Sequence, residues 1–219
     1  MDTQVTIAVI LSVLFIATAQ IGQNNEDQSE LDGKVEKFLN KHKNDWNALN
    51  VPFADGKILH DLILKNNYKS ALEIGTSTGH STIWMAWALS KTGGKIITIE
   101  LDAGRHKEAL RNFEEAGVAK YIDARLANAH DLVKALPGPF DFVFSDADKE
   151  WYTQYFKDVE PKITMGGTFT AHNVTDGFAG VEEFVKYIKT LSNYDTRIDK
   201  TSSSGISVSR KKSNGKMQK

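Results

Sequence analysis

Cysteine is absent from the 219 residues. That excludes disulfides, thiolate catalysis, cysteine-ligated zinc and a lipidated cysteine anchor together. An excess of one charge is also lacking: 27 Lys and Arg stand against 28 Asp and Glu, a formal net charge of −1. No field points to nucleic acid or to an anionic membrane, so neither is expected as an electrostatic partner. The chain shows no internal repeat and no low-complexity segment. What remains is 41% hydrophobic and 25% charged residues, the balance of one globular domain with a sizeable core.

The N-terminal segment differs in kind. Val5 to Ala19, VTIAVILSVLFIATA, carries no charge. It is shorter than the roughly 20 apolar residues of a spanning helix. Its length and its Ala17-Thr18-Ala19 ending fit a signal-peptide core cleaved before Gln20. Asp2, with no Lys or Arg ahead of the run, fits an uncleaved anchor instead. Residues 1–21 are therefore expected outside the folded core. Cleavage implies export; an anchor implies membrane association through residues 5–19 with the domain facing the cytosol. Residues 22–29, GQNNEDQS, read as a polar linker. Residues 30–212 read as the folded domain, and residues 213–219 as a basic tail that is a solvated end.

Leu31, Val35, Phe38, Leu39 and Trp46 recur at helical spacing, as do Ile58, Leu59, Leu62 and Ile63 within Ala54 to Asn67. From Ser70 onward short apolar strands alternate with helices. Strands are expected at Ser70–Ile74, Lys95–Glu100, Tyr121–Leu126, Phe140–Phe144 and a run through Thr168–Ala171 that follows Gly166-Gly167. Helices are expected at His80–Leu89, Ala103–Ala116 with Gly117 as its C-cap, His130–Leu136, a segment ending near Val159, and Val181–Leu191. Tyr194–Ile198 and Gly205–Ser209 can close the sheet as two adjacent strands. Five alternations predict an α/β fold with a mostly parallel sheet covered by helices on both faces.

In such sheets ligands sit beyond the carboxyl ends of the strands. The residues there are Glu73 to Gly79, Glu100 to Asp102, Ala127 to His130, Asp146 to Lys149, and His172-Asn173. The first turn, Glu73-Ile74-Gly75-Thr76-Ser77-Thr78-Gly79, lets backbone approach a ligand closely. It is neither G-x-G-x-x-G nor a loop ending in Gly-Lys-Ser/Thr. A carboxylate at the strand's end would repel phosphate, so a cation or a neutral polar ligand suits it better. Glu100, ending the second strand, is placed to accept hydrogen bonds from a ribose diol. The bland reading of this turn alone is a tight turn beside an exposed acid; turn and acid together favour a nucleoside site.

ALEIGTSTGHST, ITIELD, FDFVFSDADKEWY and GGTFTAHNV, in this order and spacing, resemble the S-adenosylmethionine-dependent O-methyltransferases of the catechol and caffeoyl-CoA type. The resemblance runs from about Val51 to Lys211. It implies the class I methyltransferase fold: a seven-stranded, Rossmann-like sheet whose last strand runs antiparallel. It implies S-adenosylmethionine (SAM) as cosubstrate, with Val51, Glu73, Gly75, Thr76, Ser81, Glu100, Ala129 and Asp146 around it. Glu73, Gly75 and Thr76 would line the methionine part, Ser81 its carboxylate end, Glu100 the ribose and Ala129 the adenine. It implies a small phenolic or catechol-like acceptor and a divalent metal that orients the acceptor's oxygens.

In the catalytic set, the resemblance gives Asp146 as first metal ligand and Asn173 as third. The second ligand of the family is an aspartate; here the residue is His172. Lys149 matches the family's candidate general base, against the plain alternative of a solvated surface lysine. Three readings of His172 stand open. It is a nitrogen ligand, favouring Mn, Fe, Co or Zn over Mg or Ca; it is a base or hydrogen-bond partner in a site without metal; or it marks a site that binds the cosubstrate without efficient turnover. Trp151 stands where relatives commonly carry Asn. Trp151, Tyr152, Trp84 and Trp87 read as packing residues, with Trp151 bordering the mouth of the site.

A nucleotide-sugar or NAD enzyme is disfavoured by the missing G-x-G-x-x-G. A catalytically weak SAM- or phenol-binding module is the alternative from another class. By resemblance a homodimer is the expected assembly, with the helix from Leu31 to about Trp46 placed to cover a partner.

Overall fold

The computed structural model describes residues 26–46 and 49–213. The hydrophobic leader, most of the linker and the tail beyond Ser213 lie outside the described residues. Among the described residues no helix is long and apolar enough to cross a membrane.

The chain runs α1 (residues 26–41), α2 (Phe53–Asn66), β1 (Ser70–Ile74), α3 (His80–Thr92), β2 (Lys95–Glu100), α4 (Ala103–Ala116), β3 (Ile122–Leu126), α5 (Ala129–Ala135), β4 (Phe140–Ser145), α6 (Tyr152–Val159), β5 (Ile163–His172), α7 (Ala179–Thr190), β6 (Tyr194–Asp199) and β7 (Ile206–Lys211). The seven strands lie in the order β3-β2-β1-β4-β5-β7-β6. β7 is antiparallel to both β5 and β6, and the other pairings are parallel. This is the expected seven-stranded α/β sheet. Connections leave β1 toward β2 on one side and return to β4 on the other, so the β1–β4 boundary is the switch point where such sheets hold ligands.

Three departures from the sequence reading concern ends. Residues 26–29, expected in the linker, are helical. Gln28 holds that first turn down, donating to Asp32 Oδ1 at 3.0 Å and to Ser90 of α3 at 3.3 Å. α1 also stops before Trp46, in a turn closed by His42 and Asp45. Val35, Phe38 and Leu39 on α1 are buried in the chain's own core, so the apolar face of this helix packs within the chain. β5 begins earlier than expected and takes in Gly166-Gly167. The register jumps from Phe140↔Ile163 to Phe142↔Thr168, and the surplus residues bulge with Gly166 at φ +79°.

Strand alternation sends residues to two cores. Ala71 and Ile96, with Phe142 and Phe144 of β4, pack under α1 to α4. Leu72, Ile74, Val143, Phe169 and Ala171 pack under α5 to α7. Glu73 shares the parity of Ala71, and Asp146 continues the parity of Phe142 and Phe144. Ser145 pairs with Ala171, so the next residues, Asp146 and His172, emerge side by side on the face covered by α2 and α3. α2 lies very close to α3 because Gly56 faces Trp84: a Cβ there would fall 2.2 Å from the indole.

Candidate active site

At the carboxyl ends of β1, β2 and β4 lies a cavity of about 310 Å³, lined in part by Gly75, Ser77, Glu100, Leu101, Ala129 and Asp146. That is near the lower end of the range for small-molecule sites, about 300–1,000 Å³. Gly75 sits at φ +102°, and a Cβ there would meet the Asp146 and Ala147 backbone at 3.0 Å. Only glycine allows this turn, so the β1 loop can lie flat against the end of β4. Glu100 is held from three sides. Ser77 N donates to Oε2 at 2.8 Å, while Asp102 N at 2.9 Å and the Arg105 guanidinium at 2.8 Å reach Oε1. Leu101 beside it is 69% exposed, an apolar surface at the rim of the cavity.

Glu73 is fully buried behind this loop. Ser81 and Thr98 donate to its carboxylate at 2.5 Å each, and Thr82 donates as well. Burial pushes its pKa up to about 7, against the three hydroxyl donors that pull it down; the Asp146 charge adds to the rise. Of the residues expected at the cosubstrate, Gly75, Glu100, Ala129 and Asp146 line the cavity. Val51, Glu73, Thr76 and Ser81 stand behind its wall. The Ser81 hydroxyl is turned to Glu73. Thr76 bonds Thr98, and the Val51 carbonyl accepts from His80 Nδ1.

Asp146 gathers the remaining groups. Lys149 Nζ lies 2.5 Å from its Oδ1 and donates to the Tyr152 hydroxyl at 3.0 Å. His172 Nδ1 faces its Oδ2 at 3.3 Å. The other ring nitrogen, Nε2, lies 2.8 Å from Asp55 Oδ2, and Ser202 donates to that same oxygen at 2.7 Å. Burial alone would lower the pKa of His172. The hydrogen bonds and charges of Asp146 and Asp55 outweigh it and raise the value to about 9. Burial likewise opposes the Asp146 charge, and His172 and Lys149 override it, holding that carboxyl below its usual range.

In sequence and in fold the chain is similar to known proteins. A sequence profile described as O-methyltransferase matches residues 24–190. The chain belongs to this O-methyltransferase family. A catechol O-methyltransferase from Niastella koreensis is 41% identical over 131 residues, covering 58% of this chain and 59% of the relative. A caffeoyl-CoA O-methyltransferase from Zinnia elegans is 31% identical over 160 residues, covering 67% and 65%. The chain thus spans about three fifths to two thirds of the length of these relatives. An O-methyltransferase from Bacillus cereus, solved in complex with SAH, superposes with a TM-score of 0.71 at 26% identity over 82% of this chain and 91% of that one. The TomG O-methyltransferase of Streptomyces achromogenes, solved with SAM, gives 0.72 at 28% identity over 82% and 90%.

The metal that the resemblance implies can be tested against the donors present. Asp146 has one oxygen on Lys149 and the other facing His172. Both His172 nitrogens face carboxylate oxygens, so both carry hydrogens and neither presents a lone pair. Asn173, at φ +58°, turns its amide nitrogen to Asp176 Oδ2 at 2.7 Å. Among the described residues no group of three or more His, Asp or Glu is placed to hold a metal ion. The set Asp146, His172 and Asn173, expected as ligands, does not fit a divalent cation in this arrangement. His172 is instead itself a cation lodged between two acids.

Sequence reading missed three participants. Asp55 looks like an ordinary first-turn acid on an apolar helix, and Tyr152 like a core aromatic. Arg105, five residues after Glu100, could have been found from helical spacing, because a residue in the first turn of α4 points back over the end of β2. Trp151, expected at the mouth, stacks on His130 with ring centroids 3.6 Å apart and 12° between planes; His130, not Trp151, lines the cavity.

Proposed function

We propose that this chain transfers the methyl group of SAM to a hydroxyl oxygen of a small phenolic, catechol-like acceptor. The observation that carries the reading is the Lys149–Asp146 pair beside a cavity whose wall is Gly75 and whose far side is Glu100. SAM is a sulfonium cation, and Asp146 and Glu100 suit that charge and its ribose. The exposed Leu101, with Ile99 and Ala129, supplies apolar surface for a purine. The catechol and caffeoyl-CoA relatives support the acceptor class.

In the reaction, the acceptor oxygen attacks the methyl carbon in line with the carbon–sulfur bond. The C–O bond forms, the C–S bond breaks, and the sulfur leaves as the neutral thioether of S-adenosylhomocysteine. The hydroxyl proton passes to Lys149 Nζ, which has first released one of its own protons to solvent. Asp146 and Tyr152 fix that nitrogen in place, so the chain contributes orientation as well as a base. The test is mass spectrometry of products from SAM and a catechol panel, preceded by calorimetry with SAM. Methylated catechol supports the reading. Tight SAM binding with no product from any acceptor would instead indicate a binding module.

A further inference from the structure

We propose that His172, clamped between Asp55 and Asp146, fills the position of a metal ion, so that methyl transfer in this chain runs without a divalent cation. The inference rests on the proposed transfer reaction for its activity arm, and on donor geometry alone for the rest.

The backbone register sets the arrangement. Asp146 and His172 leave neighbouring strands at the same level and on the same face. A side chain at position 172 therefore lies against the Asp146 carboxylate by construction. An acidic residue there would leave two adjacent carboxylates, which need a cation between them. The histidine meets that need from within the chain. Its ring is too long to stop at Asp146, and the far nitrogen needs an acceptor of its own. Asp55 supplies it, brought over the strand ends by the close α2–α3 contact at Gly56. Ser202, in the segment before β7, caps the same Asp55 oxygen.

The charges then balance locally: Asp55 and Asp146 against His172 and Lys149. An incoming divalent ion would find two cations already in place. The oxygens left free are the Asn173 amide oxygen and Asp55 Oδ1, which is buried and without a hydrogen-bond partner among the described residues. Hard divalent ions keep several waters but still take one or two free carboxylates from the protein, and both oxygens of Asp146 are already engaged by Lys149 and His172.

The His172 ring also offers a fixed N–H dipole toward Asp146, holding that carboxylate where Lys149 and the sulfonium can use it. Such a contact costs no reorganisation during the reaction. Asp55 is thus a positioning residue that acts through His172 and touches neither substrate.

The test uses the full chain, stripped with a chelator. Mn²⁺ binding is read by electron paramagnetic resonance, and turnover with SAM and catechol is read with and without EDTA. The expected result is no Mn²⁺ site tighter than millimolar in the wild type, and turnover within twofold in EDTA. His172→Asp, which returns an oxygen ligand, is expected to bind Mn²⁺ at least tenfold more tightly than the wild type. Micromolar, stoichiometric Mn²⁺ binding by the wild type that Asp146→Asn removes would overturn the proposal, as would EDTA abolishing turnover. Should His172→Asp fail to fold, the wild-type titration still decides. Should no acceptor yield product, the transfer reading fails while the Mn²⁺ arm continues to decide the ion.

Discussion

The Tyr152 hydroxyl accepts a hydrogen bond from Lys149 Nζ at 3.0 Å, joining a core aromatic of α6 to the proposed base. Tyr152 is fully buried and packs edge-on against Phe184. Burial and the nearby Asp146 charge push its pKa well above the usual phenol value, so it stays protonated. It is a fixed oxygen on a rigid wall. Tyr152→Phe keeps the ring and removes that oxygen. Stability is expected to fall by about 1 kcal/mol, the net worth of a hydrogen bond. SAM affinity by calorimetry stays within twofold, and kcat on catechol drops about tenfold through loss of orientation. Lys149→Met removes the base itself and is expected to lower kcat by about 10²–10⁴. Equal losses of SAM affinity and kcat in both variants would mean that the pair only builds the pocket.

His172 makes stability depend on pH at the alkaline end. Its folded pKa of about 9 lies above the ordinary histidine value of 6.5. A group raised in this way contributes stability that is fully present below pH 6.5 and is lost as pH rises through 9. The span corresponds to roughly 3 kcal/mol. Urea midpoints at pH 6, 7.5 and 9.5 are expected to fall across that window. In His172→Gln the fall is expected to flatten. Asp55→Ala, which leaves the imidazolium half-paired in a buried site, is expected to cost about 3–5 kcal/mol at pH 7.

Glu73 works in a lower window. Its folded pKa of about 7 stands above the ordinary carboxyl value of 4.5, so the folded state holds a proton that the unfolded chain releases. The stability is present below pH 4.5 and is lost as pH rises through 7, again on the order of 3 kcal/mol. Glu73→Gln keeps the shape and removes the charge: its amide oxygen accepts as one carboxylate oxygen did, and its NH2 donates to the hydroxyl oxygens at the other end. At pH 8 the ligand-free variant is expected to unfold at higher urea than the wild type, and at pH 4.5 at the same urea. A variant less stable than the wild type at pH 8 would show that the ionised carboxylate is what those hydroxyls are built for.

Much of this arrangement was legible in the sequence. Alternation and spacing locate seven strands, and the carboxyl-end rule collects Gly75, Glu100, Asp146, Lys149 and His172 on one edge without coordinates. His80 and His172 show what spacing cannot give. His80 donates to a carbonyl through Nδ1 and accepts from Trp84 at Nε2, so it is neutral, and burial pulls its pKa down to about 4. His172 meets two acids and is charged. A histidine's charge is set by partners distant in the chain, and the Asp55 partner is 117 residues away. Helical periodicity shows which face of α2 is apolar, not how near its first turn comes to the strand ends. That distance is set by Gly56 against Trp84, a contact between two helices that neither segment announces alone. The linker boundary failed for a local reason: a polar segment can be helical when a single side chain such as Gln28 ties it to the body.

Gly75 offers a prediction with an internal control. An alanine there takes a positive φ that side chains rarely adopt, at a cost of about 1–3 kcal/mol. It also presses a methyl onto the Asp146 backbone at 3.0 Å. Gly93 has a similar φ of +76°, but nothing lies within 4 Å of its Cβ position. Gly93→Ala therefore bears the backbone strain alone, while Gly75→Ala adds displacement of the β4 end. Both variants are expected to lose stability in urea. SAM affinity, measured by calorimetry, is expected to stay within twofold in Gly93→Ala and to weaken at least tenfold in Gly75→Ala. Equal affinities in the two would mean that the β1 loop can shift away from Asp146 without disturbing the cosubstrate, and that close approach at this switch point is not what the glycine secures.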